Sequence, residues 1–229
     1  VGWSYSGPLG FAQEAMRWGI AMEREAIAWV QRPGTALVVV DMQNDFVDPR
    51  GALPVPGAVA LLDPINELIR TSRGQQAPVA YTLDWHPPKT RHFQAWGGPW
   101  PVHAVAGTWG ASLHPDLLVA GPGFMKGLGQ EDGYSGWWGC LQSEASGMMA
   151  RPAGEPLTMG IWLERHGARA VVITGVATEH CVAATALDAL QAGHVVVIPQ
   201  DCCAAVDGAT GEAALERLSR QGAVLLEAG

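Results

Sequence analysis

Ala170-Val171-Val172-Ile173-Thr174-Gly175-Val176-Ala177-Thr178-Glu179-His180-Cys181-Val182-Ala183-Ala184-Thr185 is the stretch from which the rest of the chain can be read. Its first four residues, Ala170 to Ile173, are apolar and β-branched enough for a strand buried on both faces. Thr178 to Ala192 carries a helical pattern, which puts Cys181 in the first turn of a helix that starts just past a strand end. Helix starts present unpaired N–H groups and the positive end of the dipole, and both favour a thiolate. Open α/β sheets also keep their ligand crevices outside the carboxyl ends of their strands. A buried structural cysteine fits this stretch alone equally well.

The same alternation continues on either side. Thr35 to Val40 reads as a strand ending at Asp41, and Pro78 to Leu83 as a second, ending at Asp84-Trp85-His86. Leu117 to Ala120 suggests a short strand piece, and Gly123 to Met125 a further strand ending at Lys126. His194 to Ile198 and Ala223 to Leu226 complete the set. Helices are expected between them at Ala58–Arg70, Leu157–His166 and Gly211–Gln221. Strands alternating with helices imply an α/β fold, a doubly wound three-layer sandwich with a mostly parallel central sheet. Parallel strand ends share one edge, so Asp41, Asp84, Lys126 and Cys181 should converge despite their separation in sequence.

The chain divides into an N-terminal helical extension, residues 1–33, and a main domain, residues 34–229. Within the extension Phe11 to Gln31 has Met16, Ile20, Ile27 and Val30 at helical spacing, a stripe to be packed against the domain or a second subunit. A net charge of −8, with no basic run, argues against nucleic acid and anionic membranes as partners. No apolar run is long enough to span a bilayer, and the N-terminus lacks the layout of a secretory signal. Cysteines at 140, 181, 202 and 203 show neither metal-knuckle spacing nor a disulfide framework, so a cytoplasmic protein is expected.

Two sets of residues carry chemistry. Cys181, Asp41 and Lys126 make a nucleophile, a proton acceptor and a cation that holds negative charge. The backbone N–H groups around Ala177 and Cys181 are candidates for an oxyanion hole. Asp84 and His86, with His92 and His103 from the long Pro/Gly/Trp-rich segment 87–116, suit a divalent ion such as Zn²⁺ or Fe²⁺. An ordinary ion pair and surface histidines are the plainer alternatives, and the joint placement at strand ends favours the chemical ones. His114, His166 and His194 read as structural.

These pieces, in this order, resemble the nicotinamidase/pyrazinamidase branch of the isochorismatase-like cysteine hydrolases. The matching runs are Asp41-Met-Gln-Asn-Asp-Phe46, Asp84-Trp-His86, Trp100-Pro-Val-His103, Lys126-Gly127, Tyr134-Ser-Gly136 and Gly175-Val-Ala-Thr-Glu-His-Cys181. The resemblance implies the isochorismatase-like hydrolase fold and a catalytic triad of Asp41, Lys126 and Cys181. It implies metal ligation by Asp84, His86 and His103, with His92 as a further ligand in some members. Mn²⁺ joins Zn²⁺ and Fe²⁺ as a candidate ion. It also implies pocket residues Phe46, Trp100, Tyr134 and Ala177, and a cis peptide bond between Val176 and Ala177. The implied activity is hydrolysis of nicotinamide, or of pyrazinamide-like aromatic carboxamides, to the acid and ammonia through a thioester. That would be a step in pyridine-nucleotide salvage by a homo-oligomer with a small-molecule substrate. An amidase of the same family acting on a non-aromatic amide, or an inactive binding homologue, is the alternative. The N-terminal extension and the loop Leu141–Glu155 fall outside the resemblance.

Overall fold

The computed structural model describes residues 25–130, 132–142 and 157–227. Helix α1, Glu25–Val30, leads into β1, Thr35–Val40. A short helix α2, Asn44–Val47, follows, and then a 3₁₀ turn that runs into α3, Leu62–Gly74. Strands β2, Val79–Asp84, and β3, Gly123–Lys126, flank the long segment, and a two-residue strand β4, Cys140–Leu141, comes next. Helix α4, Met159–Arg165, precedes β5, Ala170–Val176. A π-helical turn, Thr178–Val182, opens into α5, Ala183–Gln191. Strands β6, Val195–Pro199, and β7, Cys203–Ala204, lead to α6, Gly208–Arg220, and β8, Val224–Leu226.

The strand order is β4-β3-β2-β1-β5-β6-β8, with β7 paired to β5. Every pairing is parallel except β3 with β4. β1 shows why three layers form. All six of its residues are buried, and they alternate between two cores. Leu37 and Val39 pack with Trp29 and Val30 of α1 and with Ile65, Leu68 and Ile69 of α3. Val38 and Val40 face Leu163 of α4, Ala186 of α5 and Leu218 of α6. The doubly wound sandwich expected from the sequence is therefore present.

Several details differ from the expectation. Leu117 to Ala120 forms no strand, because its polar backbone is met by side chains instead. Tyr81 donates its hydroxyl to the Leu118 carbonyl and accepts from the Ala120 N–H, while Asn66 accepts from the Leu118 N–H. The helix expected from Ala58 begins as a 3₁₀ turn, Ala58–Leu61, which leaves Val59 exposed. Of the N-terminal stripe, Met16 and Ile20 lie outside the described residues, while Ile27 and Val30 pack into the domain's own core. Among the described residues no helix is long and apolar enough to cross a membrane.

Candidate active site

The carboxyl edge of the sheet gathers the polar residues. Asp41 follows β1, Asp84 closes β2, Lys126 closes β3, and Cys181 stands on the π-turn after β5. Registry fixes their heights: Asp84 lies opposite Lys126, and Val40 opposite Gly175. The β1–β5 approach requires glycine at 175. Its φ is +108°, and a Cβ there would meet the Val40 carbonyl oxygen at 2.0 Å.

Lys126 is the hub. Its Nζ lies 2.8 Å from Asp41 Oδ2 and 3.2 Å from Cys181 Sγ, and it also donates to Asp84 Oδ1. Asp41 Oδ1 accepts from the Thr82 hydroxyl at 2.6 Å. A carboxylate oxygen of Asp41, one of Asp84 and the Cys181 sulfur all fall within 4.8 Å of one another. All four residues are buried.

This burial sets the charges. Burial alone would neutralise Lys126, but Asp41 and Asp84 beside it keep the ammonium charged far above its usual range. Burial likewise opposes the Asp84 carboxylate, yet Lys126 and His86 hold it well below. Burial raises Asp41 against the pull of Lys126, and neighbouring Asp84 adds to the rise. Burial also raises the Cys181 thiol strongly. Lys126 opposes that rise, while Asp41 and Asp84 reinforce it. These surroundings favour the thiol, against the pull toward thiolate of the helix start and lysine. Burial is the main cause, and two carboxylates against one ammonium add to it.

The second set meets at the same edge. His86, His92 and His103 are buried, with ligand-capable nitrogens within 4.8 Å of one another. The Asp84 Oδ2 atom lies 3.5 Å from His86 Nε2 and 3.9 Å from His103 Nε2. His86 Nδ1 meets the Gly127 carbonyl at 3.0 Å, and His103 Nδ1 meets that of Pro101 at 2.7 Å. A carbonyl only accepts, so Nδ1 carries a proton in both rings, and in the neutral ring Nε2 is then the lone-pair nitrogen. His86 Nε2 is buried without a hydrogen-bond partner. Burial keeps His103 neutral down to about 4. Three converging imidazoles and a carboxylate fit a divalent ion of zinc or iron type. Gly127, at φ +66°, permits this packing, since a Cβ would strike the His86 ring at 2.4 Å. Asp84 thus belongs to both sets, one oxygen on Lys126 and the other toward the histidines.

Between the two sets opens a cavity of about 390 Å³ including its mouth. Phe46, Trp100, Tyr134 and Ala177 all line it, beside Cys181, Asp41, Asp84, His92 and His103. The Val176–Ala177 peptide is cis. Trp100 Nε1 donates to the Tyr134 hydroxyl at 2.9 Å. His114, His166 and His194 are absent from this lining.

Sequence reasoning missed several members. His180 lines the cavity, set edge-on to Trp100 at 4.9 Å and stacked on Tyr134 at 5.7 Å. Its place directly before Cys181 was the available signal. Gln43 clamps the Asp84 backbone, accepting from its N–H and donating to its carbonyl, both at 2.8 Å, and it donates to the Ala111 carbonyl as well. Asp45 accepts from the Ala104 N–H at 2.7 Å and the Ala52 N–H at 2.9 Å, pinning the histidine-bearing segment to the loop after α2.

A mostly parallel α/β sandwich that gathers a thiol, a lysine and two carboxylates at its carboxyl edge is built for nucleophilic hydrolysis. The chain belongs to the isochorismatase family, whose isochorismatase domain matches residues 35–123 and 158–228. It is 35% identical over 188 residues to the nicotinamidase/pyrazinamidase of Mycobacterium tuberculosis, covering 80% of this chain and 93% of that one. Among solved structures it resembles the pyrazinamidase of Pyrococcus horikoshii in complex with zinc. The identity is 36% and the TM-score 0.72, over 86% of this chain and 100% of that one. It also resembles PnC1 from L. infantum in complex with nicotinate, with 36% identity and TM-score 0.71, over 84% and 92% of the two chains.

Proposed function

We propose that this isochorismatase-family hydrolase is a metal-dependent cysteine amidase that converts nicotinamide, and pyrazinamide-like aromatic carboxamides, to the acid and ammonia. The observation that carries the reading is the division of Asp84. Its two oxygens join the Cys181–Lys126–Asp41 group and the histidine group at one aromatic-walled cavity. The nicotinamidase and pyrazinamidase relatives support the same substrate class.

In this mechanism the aromatic ring lies between Phe46, Trp100, Tyr134 and His180, with its carboxamide toward Cys181. Asp41, its affinity for protons raised by burial, takes the thiol proton as sulfur attacks the carboxamide carbon. Lys126 remains charged and offsets the negative charge that moves among sulfur and the carboxylates. The N–H groups of Ala177 and Cys181 receive the developing oxyanion. The proton passes from Asp41 to the departing nitrogen, ammonia leaves, and a thioester remains on Cys181. Water, deprotonated by Asp41, then releases the acid and restores the thiol. Asp84, His86, His103 and His92 would hold the ion, which when bound supplies a Lewis-acidic anchor for a pyridine-type nitrogen and so orients the substrate.

The test is ammonia release from nicotinamide and pyrazinamide by the purified, zinc- or iron-loaded protein, with total metal measured on the same sample. Turnover with about one ion per chain supports the reading. Hydrolysis confined to non-aromatic amides, or full activity without metal, would refute it.

A further inference from the structure

The three histidines are not anchored alike. His86 and His103 hand their Nδ1 protons to backbone carbonyls, groups that the fold positions regardless of side chain. His92 Nδ1 instead lies 2.7 Å from the carboxylate of Asp132. Asp132 has its side chain 46% exposed and stands two residues before Tyr134. A carboxylate accepts, so Nδ1 of His92 carries the proton and Nε2 is left as the donor nitrogen. His92 also stacks on His86, with ring centroids 4.4 Å apart, but does not share the close contacts that His86 and His103 make with Asp84. Its orientation rests on Asp132 in a way that theirs rests on the backbone.

We propose that Asp132 is a positioning residue of the ion site, a carboxylate whose hydrogen bond fixes the tautomer and ring orientation that make His92 the fourth ligand. The proposal rests on the metal-dependent reading above and extends it to a residue that touches neither ion nor substrate. A carboxylate behind a ligating imidazole fixes the ring and makes its free nitrogen a stronger donor, and loss of such a partner typically costs 10–100-fold in metal affinity. The contact is separable from loop structure. Thr90 Oγ1 donates to the Gly129 carbonyl at 3.2 Å, Gln130 accepts from the Arg91 N–H at 3.3 Å, and its amide donates to the Lys89 carbonyl at 3.3 Å. These bonds hold the two segments together without Asp132.

The experiment is chelator competition for Zn²⁺ on the full chain, in the wild type, Asp132→Ala, Asp132→Asn, His92→Ala and the His92→Ala/Asp132→Ala double variant. Asp132→Ala should weaken Zn²⁺ binding about 10–100-fold. Asp132→Asn, whose amide oxygen still accepts from Nδ1, should recover part of the loss. In the His92→Ala background, Asp132→Ala should change affinity by less than about twofold, since the partner it acts through is gone. With Co²⁺ as probe, Asp132→Ala should alter the visible ligand-field bands in the same direction as His92→Ala. Wild-type affinity in Asp132→Ala, or an equal loss with and without His92, would overturn the proposal while leaving the metal reading standing. Failure of the wild type to take up Zn²⁺ or Co²⁺ would instead overturn the metal reading and this proposal with it.

Discussion

Replacing Gly175 by alanine separates what the β1–β5 register does for the site from what any glycine does for a fold. Position 175 combines two costs. Its φ of +108° is one that L side chains rarely adopt, worth about 1–2 kcal/mol. The new Cβ would also stand 2.0 Å from the Val40 carbonyl oxygen, a backbone atom that cannot swing aside. Relieving that overlap takes a displacement of roughly 1 Å and about 1–3 kcal/mol of overpacking. The total, about 2–5 kcal/mol, corresponds to a Tm fall of roughly 4–20 °C for a domain of this size. Asp41 is the next residue after Val40, so the displacement falls between the proposed proton acceptor and Cys181. A shift of that size typically costs about 100-fold in turnover. Gly193 is the control. Its φ is +88°, but an added Cβ would meet nothing within 4 Å, so Gly193→Ala should show only the dihedral cost and unchanged turnover. Thermal unfolding and ammonia release on both variants decide the matter. Equal destabilisation of the two, with turnover intact in Gly175→Ala, would refute the view that this close approach sets the Asp41–Cys181 geometry.

Cys181→Ala should abolish ammonia release while keeping the circular dichroism spectrum, since Cys140, Cys202 and Cys203 do not line the cavity; residual turnover above a trace would count against a thioester route. Lys126→Met removes the cation that pairs with both Asp41 and Asp84 and should cost about 3–5 kcal/mol in urea unfolding, together with all measurable turnover. Stripping the ion should stop nicotinamide hydrolysis and increase hydrogen exchange in residues 87–116. Because burial holds His103 neutral down to about 4, acid should weaken ion binding through the other ligands before it protonates His103, so His103→Ala should lower affinity at about pH 5 as well as at about pH 7. Asp207 caps α6 through the Thr210 N–H, which lowers its carboxyl below the usual range. Its contribution should be complete above the unfolded carboxylate value and disappear as pH falls through the lowered one, so the Tm gap to Asp207→Ala should close in acid.

The architecture was legible because it depends on period and topology. Buried β-branched runs of strand length, each followed by a helical pattern, admit few arrangements, and the parallel edge follows from them. Asp41, Asp84, Lys126 and Cys181 could be brought together from their positions after strands alone, without knowing any side-chain torsion. The small strand β4 was not legible. Two residues carry no period, and their antiparallel pairing with β3 depends on the turn at Gly136–Trp138.

What only the tertiary structure decided is how the edge is divided. Nothing local to Asp84 says that one oxygen faces Lys126 and the other the histidines, because that depends on β3 lying beside β2 and on segment 87–116 folding back over both. The state of Cys181 is likewise a property of its surroundings. A helix start and a lysine argue for a thiolate, but dehydration by the packed core and two carboxylates within 4.8 Å argue more strongly for the thiol. Gln43, Asp45 and Asp132 act on partners 41, 59 and 40 residues away, and hydrogen bonds across such distances leave no period in a sequence. Periodicity reports which face of an element is buried; the direction of a single polar side chain is settled by what the rest of the fold puts in front of it.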